Sequence, residues 1–286
     1  MYVTDETNKK YLFRGSNVEF KKYNSEPGEH TITYVFDKLS STRDLFNGCT
    51  SLKTVTFGDN FDTSEVTNMS NMFYGCTGLT SVNFDTLDLS NVITLQGLFN
   101  GCSNLTEAGV SNWNISNVEN LRETFKTCNK LNIDVSNWNT SKVTNMNSLF
   151  YDCHAITSLD LSNWDTSKVT DMGSMFLGLK VTSIDVSSFN TTNVTTMNNM
   201  FRYCSALVSL DLSNFDTSKV TNIAGLVGDC TKLTSLIMKG NIDKVTSANE
   251  MFRSITTEGV FEYNNEYDYS IAIQVLPTTW NAYYPN

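Results

Sequence analysis

Trp164-Asp-Thr-Ser-Lys-Val-Thr-Asp-Met-Gly-Ser-Met-Phe176 is one copy of a motif that organises most of the chain. It has a near copy in Phe61-Asp-Thr-Ser-Glu-Val-Thr-Asn-Met-Ser-Asn-Met-Phe73, which runs on through Tyr-Gly to Cys76. Taking the final phenylalanine as an anchor, the pattern recurs at Phe46, Phe73, Phe99, Phe125, Phe150, Phe176 and Phe201. Val227 replaces it once and Phe252 restores it. The gaps are 27, 26, 26, 25, 26, 25, 26 and 25 residues, so nine units stay in phase. Such a period identifies a stacked repeat array before any finer reading.

Seven residues before each anchor stands an aliphatic, from Leu39 and Val66 to Val220 and Val245. Four before it comes usually Met, Leu or Ile, as at Met69, Leu121 and Ile223, and Met or Leu often precedes it directly. Apolar spacings of three, three and one predict one face of a short helix. Asp/Asn-Thr-Ser at its start supplies side chains that cap N–H groups, and Gly75, Gly101 and Gly178 fall where it should stop. Beyond the anchor the period becomes two, as in Leu159-Asp-Leu161, Ile184-Asp-Val186 and Leu210-Asp-Leu212, which predicts one short strand per unit. The expected fold is therefore α/β: a leucine-rich-repeat-like solenoid of about nine strand–helix units of 25–27 residues, with a parallel sheet along one side. Residues 1–36 read as a β-rich N-terminal cap, with strands in Tyr11–Phe20 and Thr31–Phe36; 37–257 read as the solenoid, and the tyrosine-rich 258–286 as the C-terminal cap.

Composition narrows function. Charged residues are only 17%, against 40% hydrophobic, and the net charge of −10 argues against a phosphate-backbone partner. No nucleic acid is expected to bind. No apolar run reaches the ~20 residues of a membrane span. The first residues carry no basic segment followed by an apolar one, so no signal peptide is expected in the chain as it stands. Two histidines, His30 and His154, offer neither a triad nor a metal site.

The repeated Asp-Thr-Ser-x-Val-Thr-Asn-Met-x-x-Met-Phe-x-x-Cys units, over roughly residues 36–255, resemble the BspA-like leucine-rich-repeat surface proteins of bacteria. The resemblance implies a solenoid with a non-enzymatic surface or adhesive role, and it carries no catalytic residues. The chain departs from the usual secreted member in showing no export signal, lipobox cysteine or wall anchor.

Cys49, Cys76, Cys102, Cys128, Cys153, Cys204 and Cys230 all stand three residues after an anchor, where Leu179 serves in the sixth unit. A place that accepts Leu is a core place, and parallel stacking disfavours disulfides, so buried thiols are expected. Asp134, Asp160, Asp185 and Asp211 should point outward in register from neighbouring strands. Like charges about 5 Å apart repel by about 1 kcal/mol in water. The row is thus either a contact for a basic partner or calcium, or a set of solvated side chains. No cofactor is expected, calcium being only the functional alternative at this row. Tyr74, Tyr151 and Tyr203 follow their anchors closely and suit ligand stacking on a solenoid rim. Ser-Asn pairs such as Ser162-Asn163 should bond to neighbouring backbone.

The expectation is a non-enzymatic module that binds a protein or glycan on a cell or particle surface through an extended face. It would act outside the cell or at its surface, with oligomers forming through the caps. The alternative is a virion-associated or assembly-scaffold protein, which needs no export signal.

Overall fold

The computed structural model describes residues 2–5, 10–12, 32–34, 39–57, 61–264 and 266–285. Strands β1 (Tyr2–Asp5), β2 (Lys10–Leu12) and β3 (Ile32–Tyr34) form an antiparallel sheet in the order β2-β1-β3. The rest of the Tyr11–Phe20 run lies outside the described residues. The described residues from 39 to 285 form a parallel-sheet β-solenoid of about nine turns.

The described residues do not form the expected helix. Among the described residues the only helical segments are a 3-10 turn at Val110–Asn112 and α1 (Ser270–Ile273). The run leading to each anchor is instead a chain of turns. In the second unit Met72, Tyr74 and Cys76 donate their N–H to carbonyls three residues back, at Met69, Asn71 and Phe73. The residues between them, Met69, Asn71, Phe73 and Gly75, donate to the next unit, at Thr94, Gln96, Leu98 and Asn100. Alternate amides thus close turns and bind neighbours. This geometry demands a left-handed residue two places before and two places after every anchor: Asn71 (φ 55°) and Gly75 (φ 68°), Glu123 (φ 57°) and Thr127 (φ 58°), and so on through all nine units.

The composition of the run explains the outcome. Asn, Asp, Ser and Thr bond locally to backbone and compete with helix. Asn68, Asn120, Asn145, Asp171 and Asn222 each accept the N–H two residues ahead through Oδ1, at 2.9 Å. The Asp-Thr-Ser motif does likewise: Asp165 Oδ1 accepts the Ser167 N–H at 2.9 Å. These are Asx turns, not helix caps. Apolar spacings of three arise from consecutive turns as readily as from a helix.

One strand per unit is also corrected. Strands β4 (Thr54–Thr56) and β5 (Ser81–Asn83) pair in parallel near the start. Strands β6 (Ser209–Leu212), β7 (Ser235–Met238), β8 (Gly259–Tyr263) and β9 (Trp280–Tyr283) form a parallel sheet in that order at the other end. Within the expected C-terminal cap, β8 and β9 thus carry the ladder onward. In the middle units side chains take carbonyls that a strand ladder would use. The Trp138 and Trp164 indoles donate to Val110 O (3.0 Å) and Val135 O (3.1 Å), and Asn163 and Ser188 donate to Ser136 O (3.2 Å) and Leu161 O (3.1 Å).

From Phe46 to Phe201 the anchor rings are buried and each stacks on the next, with Phe73–Phe99 centroids 5.4 Å apart and Phe125–Phe150 6.0 Å apart; Val227 then interrupts the column. Trp113, Trp138 and Trp164 form a second column at 5.9 and 6.1 Å. At about 1.5–3 kcal/mol per buried large apolar side chain, these columns are a principal source of cohesion.

Two substitutions test the turn geometry. Thr127 is β-branched at φ 58°, a conformation costing about 1–2 kcal/mol. Thr127→Gly should stabilise by about 1 kcal/mol and raise the melting temperature by about 2–4 °C; a lower midpoint would count against the strain. Gly78→Ala should destabilise strongly, since its Cβ would sit 2.4 Å from Thr50 O and 2.9 Å from Leu52 O.

Candidate binding faces

The ladder fixes which side chains face water, and does so unit after unit. Asp134, Asp160, Asp185 and Asp211 are all exposed and stand in successive units. Each accepts the N–H of the serine two residues on, at 3.0, 3.0, 2.9 and 2.8 Å. Ser136 and Ser162 add their hydroxyls at 2.7 Å. Hydrogen bonds from Ser136, Ser162 and Ser187 hold the Asp134, Asp160 and Asp185 carboxyls below the ordinary value of 3.8. Asp134 and Asp185 push Asp160 the other way, and the serine bonds outweigh them. The row thus closes turns as well as facing solvent.

The tyrosines are less alike. Tyr74 and Tyr203 are 43% and 45% exposed, whereas Tyr151 is half-buried with Lys126 Nζ 5.2 Å from its ring centroid. Arg202 lies 5.1 Å from the Tyr203 ring and is tied to Asp229 (3.1 Å) and Glu250 (2.8 Å). His154 meets Asp152 at 3.4 Å and Asn129 at 3.2 Å. Among the described residues no three His, Cys, Asp or Glu side chains group as metal ligands. Among the described residues, a shallow hollow of about 420 Å³ lies beside Asp243 and Asp268 and one of about 230 Å³ beside Asp85 and Trp113.

The seven cysteines are free thiols, all buried except the half-buried Cys49. Their sulfurs have a specific partner: the inward carbonyl of the preceding anchor. Cys76, Cys102, Cys128, Cys153, Cys204 and Cys230 lie 2.9–3.1 Å from the carbonyls of Phe46, Phe73, Phe99, Phe125, Phe176 and Phe201. Burial pushes the Cys102, Cys128 and Cys153 thiols well above the ordinary range.

One exposed feature was overlooked in the sequence although Lys-Val-Thr spells it out at 142–144, 168–170, 219–221 and 244–246, with Asn193-Val-Thr195 between. The valines are buried, while lysines and threonines face solvent. Thr144, Thr170, Thr195, Thr221 and Thr246 each donate both N–H and hydroxyl to a carbonyl of the previous unit, with hydroxyl distances of 3.0–3.3 Å. Lys219 reaches Asn193 Oδ1 at 2.7 Å, and Lys142 reaches Asn117 Oδ1.

No helix among the described residues is long and apolar enough to cross a membrane. A family model described as "Mycoplasma protein of unknown function, DUF285" matches residues 17–105, 79–176 and 149–260 in overlapping stretches. Among curated proteins, none matches the chain.

Two measurements test these environments. A thiol reagent applied to the native protein should modify at most Cys49, and all seven cysteines after denaturation; rapid native labelling of Cys128 would contradict the packing. Ser162→Ala should raise the Asp160 carboxyl toward 3.8 in an NMR titration while leaving Asp134 in place. A carboxyl lowered by folding stabilises above the ordinary range, and that stability is lost as pH falls through the folded value. The stability gap between wild type and Ser162→Ala should therefore be fully present above about pH 4 and be lost progressively as pH falls through the lower folded value.

Proposed function

Since the chain belongs to the family described as Mycoplasma proteins of unknown function, DUF285, we propose from its own surface that it is a non-enzymatic binding module. It attaches a cell or particle surface to a protein or glycan through an extended solenoid face. The observation that carries this reading is the sameness of the exposed rows. Asp134, Asp160 and Asp185 share one environment, each held low by the serine two residues on. General acid–base work needs neighbouring groups pushed apart in pKa, and a uniform row spreads many similar contacts instead. The resemblance to BspA-like leucine-rich-repeat surface proteins supports an adhesive role outside the cell.

An assembly-scaffold or virion role is the second reading. It is favoured by β9, last in its sheet, with Tyr283 and Tyr284 52% and 46% exposed beside that edge. Open strand edges invite pairing with another chain.

A binding screen against arrayed glycans and proteins, with and without calcium, tests the first reading. Specific binding should appear and fall roughly tenfold or more in Asp160→Ala plus Asp185→Ala. Retention in that variant together with loss in Tyr74→Ala plus Tyr203→Ala would move the contact to the tyrosine rim. No binding, with a defined oligomer in sizing, would replace the adhesive reading with the scaffold one.

A further inference from the structure

The geometry points to the Lys-Val-Thr row as a docking surface for an anionic polysaccharide, one bearing sulfate or carboxylate groups. This inference rests on the binding-module reading and goes beyond it, since the row is neither the aspartate row nor the tyrosine rim. In a protein of net charge −10, Lys142, Lys168, Lys219 and Lys244 occupy equivalent exposed places in four of five consecutive units. Units are one strand spacing apart, so the four cations span about 20 Å in a line. None of them forms an ion pair with a described residue, and the partners of Lys142 and Lys219 are neutral asparagine oxygens. Asp165 and Asp216 interact electrostatically with Lys168 and Lys219 without a direct ion pair, while their carboxylates accept the Ser167 and Ser218 N–H groups at 2.9 Å. Ammonium groups on flexible stems, not fixed in direct ion pairs, are what a line of anions would engage.

The threonines choose among polyanions. Each Thr hydroxyl gives its proton to the preceding unit's carbonyl, so the oxygen of an exposed side chain keeps acceptor capacity. Acceptors suit sugar hydroxyls. No aromatic ring belongs to this row, so it offers no platform for stacking nucleic-acid bases.

Retention of the full chain on immobilised dextran sulfate, beside uncharged dextran and a single-stranded oligothymidine, tests the inference. Dextran sulfate should bind in a salt-dependent way and uncharged dextran should not. Replacing all four lysines with Gln should weaken binding roughly tenfold or more. The same change at Lys53, Lys130, Lys180 and Lys232, exposed but on other rows, should leave at least half of it. Asn193→Lys, which fills the gap, should tighten binding and gives an answer even if the quadruple variant misfolds. Failure to bind dextran sulfate, or binding unchanged in the Lys-to-Gln and Asn193→Lys variants, overturns the row while a positive protein or neutral-glycan screen leaves the binding-module reading standing. Oligothymidine bound as tightly as dextran sulfate would overturn the polysaccharide assignment.

Discussion

Everything in this molecule depends on how the backbone amides of the turn run are divided. Phe73 donates its N–H to Leu98 of the next unit, while Cys76 donates to Phe73 in its own. One set closes the turn and the other stitches units together, so neither can be lost without loosening both. The arrangement requires left-handed backbone on either side of each anchor. Gly75, Gly97, Gly101, Gly178 and Gly225 meet that need without a Cβ, and Asn71 and Asn199 belong to the residue type that tolerates it best.

The same division explains the cysteines. Turning the anchor carbonyl inward leaves it one weak partner short in a dry core, and buried acceptors call for donors. A thiol is small, largely apolar and still a donor. Thr124 does a similar service with its hydroxyl, donating to Leu95 O at 3.2 Å and Leu121 O at 2.7 Å. In the sixth unit Leu179 fills the space without donating, which agrees with packing as the first requirement and the hydrogen bond as the second.

The period, the anchors, the aliphatic rows and the burial of the thiols were all legible in the sequence, because a core row must repeat wherever its neighbour does. The local conformation was not. Met69, Met72, Phe73 and Cys76 have helical spacing, and only the Asn, Ser and Gly residues among them separate consecutive turns from a helix. Strand breaks around Trp138 and Trp164 were equally hidden, since nothing in a one-dimensional pattern shows an indole reaching the carbonyl of the preceding unit. Of the faces, the aspartate row could be read from its period of two. The Lys-Val-Thr row could also have been read, had its polar members been followed with the attention given to Val143 and Val169. Tyr151 differs from Tyr74 in being half-buried with Lys126 of the neighbouring unit beside its ring, a contact that no linear pattern shows.

Exposed rows in register exist only while the turn ladder does, so the ladder is the claim on which the functional reading stands. Far-UV circular dichroism of the folded chain tests it most directly. The folded chain should give a β- and turn-type spectrum without the paired minima of helix, since the described residues hold only Val110–Asn112 and Ser270–Ile273 as helical turns. A strongly helical spectrum, as nine short helices would give, would contradict it.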